Sequence, residues 1–358
     1  MKTNEKNKLS IDLFDFSTSY NSELTELIME IKKYPLFQDI INSKTFNRLK
    51  YIAFLGAIDY LYKNKKRHTR YEHTLSVASL ALKYAKLKSL KEEDRKYLIC
   101  AALLHDIGHG PLSHSMEPSF KKIFNLSHHQ AGINIIYGNS PLGLELFNIL
   151  KKYNIDINKI IDLINGESKE TYAFALNNPI NIDTIDGIIR SYTYLCNSRN
   201  KNKKLMKLPT IFEILEATIT PSKSAILDNF WLLKDKVYSQ IINYDLHMYA
   251  DNVSQYFIEE NAKDISSDDF YLDDVKFKKQ YEILFFELNN LKSKSQDEIL
   301  KNDLTFIKRK YTVNYNIQLN NIDDIERKYT YTKNREIISC KNLKIEKMLQ
   351  KEFHTFKK

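Results

Sequence analysis

The pair His105-Asp106 constrains this chain more than any other feature. It closes the apolar run Leu98-Ile-Cys-Ala-Ala-Leu-Leu104 and is followed at once by Ile107-Gly-His-Gly-Pro111. An apolar run of this kind belongs in a core, so the carboxylate at its end lies beside apolar surface. An ionised carboxylate in that position is costly unless a cation compensates it. Imidazole and carboxylate together suit a divalent metal ion. The neighbourhood points the same way: the chain has nine histidines, and seven of them (His68, His73, His105, His109, His114, His128 and His129) fall between 68 and 129.

Composition settles the fold class. Eight glycines and seven prolines in 358 residues favour long helices over a many-stranded sandwich. The pattern predicts helices over Ser22–Lys33, Thr45–Phe54 (Arg48 and Lys50 outward, Tyr51 inward), 142–153, 155–164, Thr184–Cys196, 209–219 and 222–265. Thr69-Arg-Tyr-Glu72 and Ser127-His-His-Gln130 have the spacing of capping boxes, and each puts a histidine in the first turn of a helix. Residues 266–274 look like an acidic Ser/Asp-rich linker. A helix near 275–293 and strict alternation over Tyr311–Leu319 follow, and the alternation predicts a half-buried strand. The expectation is a mostly α protein, with a helical domain over 1–265 (core 45–200) and a mixed α+β accessory region over 266–358.

Residues 1–10 look like a tail, polar and without the apolar core of a signal peptide. No apolar stretch is long enough to predict a membrane span. Cys100, Cys196 and Cys340 are too far apart for a disulfide framework, and with the other signs they predict a cytoplasmic protein. The net charge of +9 reflects heavy use of Lys along the whole chain, with local concentrations at 63–67 and 199–204. Either stretch reads as a solvated loop or as an attractor of a nucleotide or nucleic acid.

Bottom-up, the ligand set is His73 at one helix start, His105 and Asp106 at a helix end, and Asp183 at a later helix start. Three helix ends can meet at one point while their bodies diverge. Two imidazoles and two carboxylates around a divalent ion leave room for water and a substrate oxygen, an arrangement that activates phosphoryl groups. The metal is Mn, Fe, Zn or Mg by this chemistry. His109, His114 and His128 are then candidates for phosphate binding and proton transfer.

His68-Thr-Arg-Tyr-Glu-His-Thr-Leu-Ser-Val77 followed by His105-Asp-Ile-Gly-His-Gly-Pro-Leu-Ser-His114 resembles the HD-domain phosphohydrolases, and within them the deoxynucleoside triphosphate triphosphohydrolases of the SAM-and-HD-domain type. The resemblance runs from about Phe46 to Cys196. It implies that His73, His105, Asp106 and Asp183 hold the metal and that Arg70 contacts phosphate. It further implies that His109 lies near the scissile phosphate, that His114 and Glu117 form a histidine–carboxylate pair, and that His128 is an active-site histidine. Its other implications are a nucleotide substrate and a homo-oligomer. Departures are equally specific. Phe54 stands where the family has a sugar-contacting glutamine, and Gly187 and Ser191 replace a tyrosine and an aspartate. Asn47 and Lys50 occupy positions related to an activating-nucleotide site. The leading expectation is cleavage of a (d)NTP to nucleoside and triphosphate. The alternatives are a nuclease or oligonucleotide phosphodiesterase on single-stranded nucleic acid, and a non-catalytic nucleotide- or nucleic-acid-binding module.

Overall fold

The computed structural model describes residues 18–62, 67–196 and 209–291, together with 305–307, 309, 311, 313 and 337–339. The chain is built of helices: α1 Thr18–Lys32, α2 Pro35–Asn42, α3 Lys44–Asn47, α4 Arg70–Leu87, α5 Glu92–Leu104, α6 Glu117–Phe124, α7 His128–Ile136, α8 Glu145–Lys152 and α9 Ile157–Asn165. After these come α10 Phe174–Asn177, α11 Ile182–Cys196, α12 Ile211–Ile219, α13 Ser224–Val237, α14 Asp245–Glu260, α15 Asp274–Gln280 and α16 Glu282–Asn290. The strands among the described residues, β1 Thr305–Ile307 and β2 Ile337–Ser339, pair antiparallel with Thr305 opposite Ser339.

Helix α4 sits at the centre and packs against α1, α5, α11 and α12. A helix surrounded on all sides is apolar on all sides, and Leu75, Val77, Ala78, Leu80, Ala81 and Leu82 are all buried. The Thr69–Glu72 box forms in full, with both reciprocal bonds made. At α7 only half of the box forms: Ser127 accepts from the Gln130 amide. The run Leu98–Leu104 lies inside the core on α5. Leu98, Ile99, Leu103 and Leu104 each contribute about 1.5–3 kcal/mol by burial. That anchoring fixes the position of His105 and Asp106 just past the helix end.

Four expectations need correction. The helix expected over Thr45–Phe54 ends at Asn47. A 3-10 turn follows over Arg48–Tyr51, and Ala53 then forms an isolated bridge to Thr69. The backbone at 52–54 is extended because it bonds the entry to α4: Arg70 N donates to Ile52 O, and Phe54 N to His68 O. The turn also reverses two orientations: Arg48 is buried, and Tyr51 is 57% exposed. The helix expected over 222–265 is two helices, α13 and α14, joined by a π turn at Tyr238–Ile242. The linker expected at 266–274 is a packed segment: Ser267–Tyr271 is a 3-10 turn, and Phe270, Tyr271, Asp273 and Asp274 are buried. Asp273 and Asp274 read as solvated, but they are a helix cap and a hydrogen-bond acceptor. Finally, Tyr311 and Val313 are buried but lie in no strand, and the rest of 311–319 falls outside the described residues. The expectations for the N-terminal tail, for 63–66 and for 199–204 also fall outside them.

Candidate metal centre and histidine cluster

The four expected ligands come together. His73, in the first turn of α4, is fully buried, and its Nε2 lies 3.0 Å from Asp183 Oδ1 and 3.5 Å from Asp106 Oδ2. His105 Nε2 lies 3.5 Å from Asp106 Oδ1 and 3.8 Å from Asp183 Oδ1. Both Nε2 atoms are buried and make no hydrogen bond. Their other ring nitrogens are occupied. His73 Nδ1 faces Asp186 Oδ2 at 2.6 Å, and His105 Nδ1 faces the Ala102 carbonyl at 2.8 Å. With Nδ1 so occupied, each ring can turn its Nε2 to an ion, the usual way a ligating imidazole is oriented. His73, His105 and Asp106 offer ligand atoms within 4.8 Å of one another. The residues fit a divalent cation. Asp183, with its side chain 49% exposed, is the ligand open to solvent.

The local charges agree with the geometry. Burial opposes charge on every member. Even so, Asp106 and Asp183 raise His105 to about 9, and Asp183 and Asp186 raise His73. His105, Arg70 and His109 hold Asp106 well below the usual carboxylate range despite its burial, and His105 and His73 do the same for Asp183. A pocket that draws protons onto its imidazoles so strongly also favours a dication.

Arg70 is buried against this centre. Its NH1 donates to Asp106 Oδ2 at 2.8 Å, its Nε to Ser113 Oγ at 2.9 Å, and its NH2 to the Phe54 carbonyl at 3.2 Å. A guanidinium has five N–H donors, so two remain for a substrate. The Phe54 ring lies 4.8 Å from the His73 ring and 4.8 Å from the Arg70 guanidinium carbon. It therefore walls the centre, with the open side of Gly187 opposite its edge. The Ser191 hydroxyl is spent on the Gly187 carbonyl of its own helix, 2.7 Å away.

Beside the centre lies a second cluster. Gly108 lets α7 approach: a Cβ there would sit 2.0 Å from the His128 carbonyl. This close approach stacks the His128 ring on His109, with centroids 4.2 Å apart and planes 7° apart. His114 meets both rings edge-on. Glu117 holds two of the three rings, with His114 Nδ1 at 2.9 Å from Oε2 and His128 Nδ1 at 2.6 Å from Oε1. It also accepts the His128 amide. His109 is fully buried, and neither of its ring nitrogens makes a hydrogen bond. Burial and the Arg70 charge push His109 well below the usual imidazole range. Burial pushes His114 down to about 4, with Glu117 opposing the shift. His114 and His128 pull Glu117 far below the carboxylate range in spite of its burial.

Three residues around the site were not legible as such in the sequence. Asp186 orients His73 and is itself held by Ser76 Oγ (2.5 Å) and by Arg190 Nε (2.7 Å) and NH2 (3.0 Å). It follows Asp183 by three residues in the sequence, but its partner lies 113 residues away. Lys234 on α13 is only 8% exposed and pairs with no carboxylate among the described residues. Burial lowers its pKa to about 8, and Asp183 is the charge that opposes the shift. Arg48 clamps the loop after Asp106, donating to the carbonyls of His109 (2.7 Å), Ile107 (2.7 Å) and Leu272 (3.1 Å).

Residues 70–173 match the family described as HD domain. The match takes in Arg70, His73, His105, Asp106 and the three clustered histidines, so this stretch is similar to HD domains. The sequence is similar to an uncharacterized protein of Mycoplasma pneumoniae, with 25% identity over 249 residues covering 63% of this chain and 56% of that one. It is also similar to the uncharacterized protein YwfO of Bacillus subtilis, with 31% identity over 131 residues covering 35% and 29%. A third relative is the deoxynucleoside triphosphate triphosphohydrolase SAMHD1 homolog of Dictyostelium discoideum, 26% identical over 214 residues that cover 52% of this chain and 40% of that protein. The chain thus spans between about a third and somewhat over half of these relatives. A phosphohydrolase structure from Bacteroides thetaiotaomicron shares the fold, with a TM-score of 0.53 at 15% identity over 76% of this chain and 74% of that one. Among the described residues, no helix is long and apolar enough to cross a membrane.

Proposed function

We propose that the chain is a metal-dependent phosphohydrolase of nucleotides that cleaves a (d)NTP to nucleoside and triphosphate. The observation that carries this reading is the pair of buried, unpartnered Nε2 atoms of His73 and His105 aimed at Asp106 and Asp183, with Arg70 beside them. A divalent metal held by these four residues supplies a Lewis acid for a phosphoryl oxygen and raises the acidity of water. The chain's own residues supply the rest. The two free N–H donors of Arg70 and the buried ammonium of Lys234 hold polyphosphate oxygens, Arg70 as a fork and Lys234 as a point charge. Glu117 fixes Nδ1 of His114 and His128 and leaves each Nε2 to accept or return a proton. The side chain of His114 is the more exposed of the two and serves the leaving group.

The likeness to proteins named deoxynucleoside triphosphate triphosphohydrolase supports the nucleotide class. Sugar recognition differs: Phe54 is an apolar wall, and the Ser191 hydroxyl is turned to its own helix. Apolar walls discriminate a hydroxyl weakly, so ribo- and deoxyribonucleotides are both expected substrates. The test is to incubate purified protein with matched NTP and dNTP sets and with single-stranded DNA and RNA, with and without Mn²⁺, and to separate the products. Metal-dependent release of triphosphate supports the reading. Turnover of single strands alone would replace it with a nuclease, and no turnover at all would leave a binding module.

A further inference from the structure

The turn between His109 and His114 is held in a conformation its residues do not favour. Leu112 and Ser113 have φ of 53° and 48°, two consecutive left-handed positions without glycine. Side chains disfavour that region, and it persists where the surroundings over-determine it. Several contacts do so here. Ser113 Oγ donates to the Ala53 carbonyl at 2.6 Å, and Ser115 Oγ accepts the Ala57 amide at 2.9 Å. The Leu112 carbonyl fills the space a Cβ on Gly56 would need. The remaining contact comes from the far end of the described core. Asp274 Oδ1 accepts the Leu112 amide at 2.8 Å, while its Oδ2 accepts the Ala53 amide at 3.0 Å and the Tyr60 hydroxyl at 2.9 Å.

One buried carboxylate thus ties the 53–60 segment to the turn. The turn carries Ser113, which receives Arg70 Nε, and it delivers His114 to Glu117. Asp274 lies a hundred residues past the end of the matched HD domain at 173. Phe270, just before it, presses its carbonyl to where a Cβ on Gly110 would stand.

We infer that Asp274 is a positioning residue for the reaction: by holding Leu112 left-handed it sets where Ser113 meets Arg70 and where His114 meets Glu117. Its effect on turnover rests on the phosphohydrolase reading, whereas its effect on the His114–Glu117 bond does not. None of the four proposed metal ligands bonds Asp274, Leu112 or Ser113, so metal binding is expected to survive its loss. A side chain that only filled space would change thermal stability and leave kcat alone.

The experiment is Asp274→Asn in the full chain, which keeps the volume and loses one acceptor. Expected are a fall in kcat of about tenfold or more with KM nearly unchanged, as for small misplacements of catalytic groups, and metal content equal to wild type. Independently of turnover, ¹⁵N-histidine spectra should show the His114 Nδ1–H signal shifted while that of His128 stays in place. Wild-type kcat together with an unmoved His114 signal would overturn the inference, as would joint loss of metal and turnover in a folded variant. Should Asp274→Asn fail to fold, Tyr60→Phe removes one donor from the same carboxylate. It should then lower kcat about threefold and shift the same signal, and no change in either would overturn the inference. If wild type hydrolyses no nucleotide, the phosphohydrolase reading fails, and the His114 signal alone decides the role of Asp274.

Discussion

The metal centre and the histidine cluster beside it are made of the same residue types and behave oppositely. In each, three ligand atoms lie within 4.8 Å of one another, so distance alone makes either a metal site. Orientation separates them. His73 and His105 are inclined at 66°, and both direct an unpartnered Nε2 toward the carboxylates. His109 and His128 are parallel to within 7° and stacked. Lone pairs in stacked parallel rings run side by side and do not meet at one ion. Charge separates them further. The centre has two carboxylates with oxygens to spare, and it raises His105 to about 9. The cluster has Glu117, whose two oxygens are already taken by imidazole Nδ1 atoms, and His114 is pushed down to about 4. One group is built to hold a cation, and the other disfavours charge on His109 and His114.

Substitutions can break this division. The largest effect is expected for Asp106→Ala, which removes a ligand and leaves Arg70 buried without its partner. Turnover should fall by at least about 10³-fold. Residual activity near wild type in a nucleotide assay would remove Asp106 from the centre. Glu117→Gln comes next: the two imidazoles lose their fixed tautomers, and kcat should drop on the order of 10²-fold with metal retained. Asp186→Asn should weaken metal binding by roughly 10–100-fold, the usual cost of losing an orienting partner. Mn²⁺ titration measures it, and unchanged affinity would mean that His73 is oriented without Asp186. Phe54→Gln is a smaller test. Wild type should discriminate between NTP and dNTP by less than about tenfold in kcat/KM, and the amide should increase the ratio. A strong dNTP preference in wild type that the variant keeps would place sugar recognition elsewhere.

The smallest effect is in stability against pH. Burial lowers His114 from 6.5 to about 4, with the Arg70 and His128 charges adding to the shift. Between those values the unfolded chain binds the proton and the native chain does not. The contribution is therefore complete above about pH 6.5 and is lost as pH falls through about 4. The side chain is 40% exposed, so water screens part of the effect. Relative to His114→Gln, wild type should lose about 2 °C more in Tm between pH 6.5 and 4.5. An identical pH dependence in the two proteins would show that the native chain does not disfavour charge on His114.

Legibility in the sequence followed locality. The caps at Thr69 and Ser127 and the buried run Leu98–Leu104 each sit within one helix or at its end, where spacing is informative. What was missed depends on distant packing. Arg48 read as an outward residue because helical periodicity was extended through Tyr51. It is buried because the loop carbonyls of Ile107 and His109 need a donor there. Asp274 read as part of a solvated linker, since nothing beside it in sequence names Leu112, Ala53 or Tyr60 as its partners. Lys234 stands in an ordinary amphipathic helix, and only the fold packs that helix against α11, which carries Asp183.

The division between the two clusters is tested most directly by metal content. Wild type, Asp106→Ala and Glu117→Gln would be loaded with Mn²⁺, dialysed and analysed by elemental mass spectrometry beside their turnover. The account predicts about one ion per chain in wild type and in Glu117→Gln, and none in Asp106→Ala, with turnover low in both variants. Two ions per wild-type chain, or loss of the ion from Glu117→Gln, would show that the stacked histidines bind metal and that the separation drawn here is wrong.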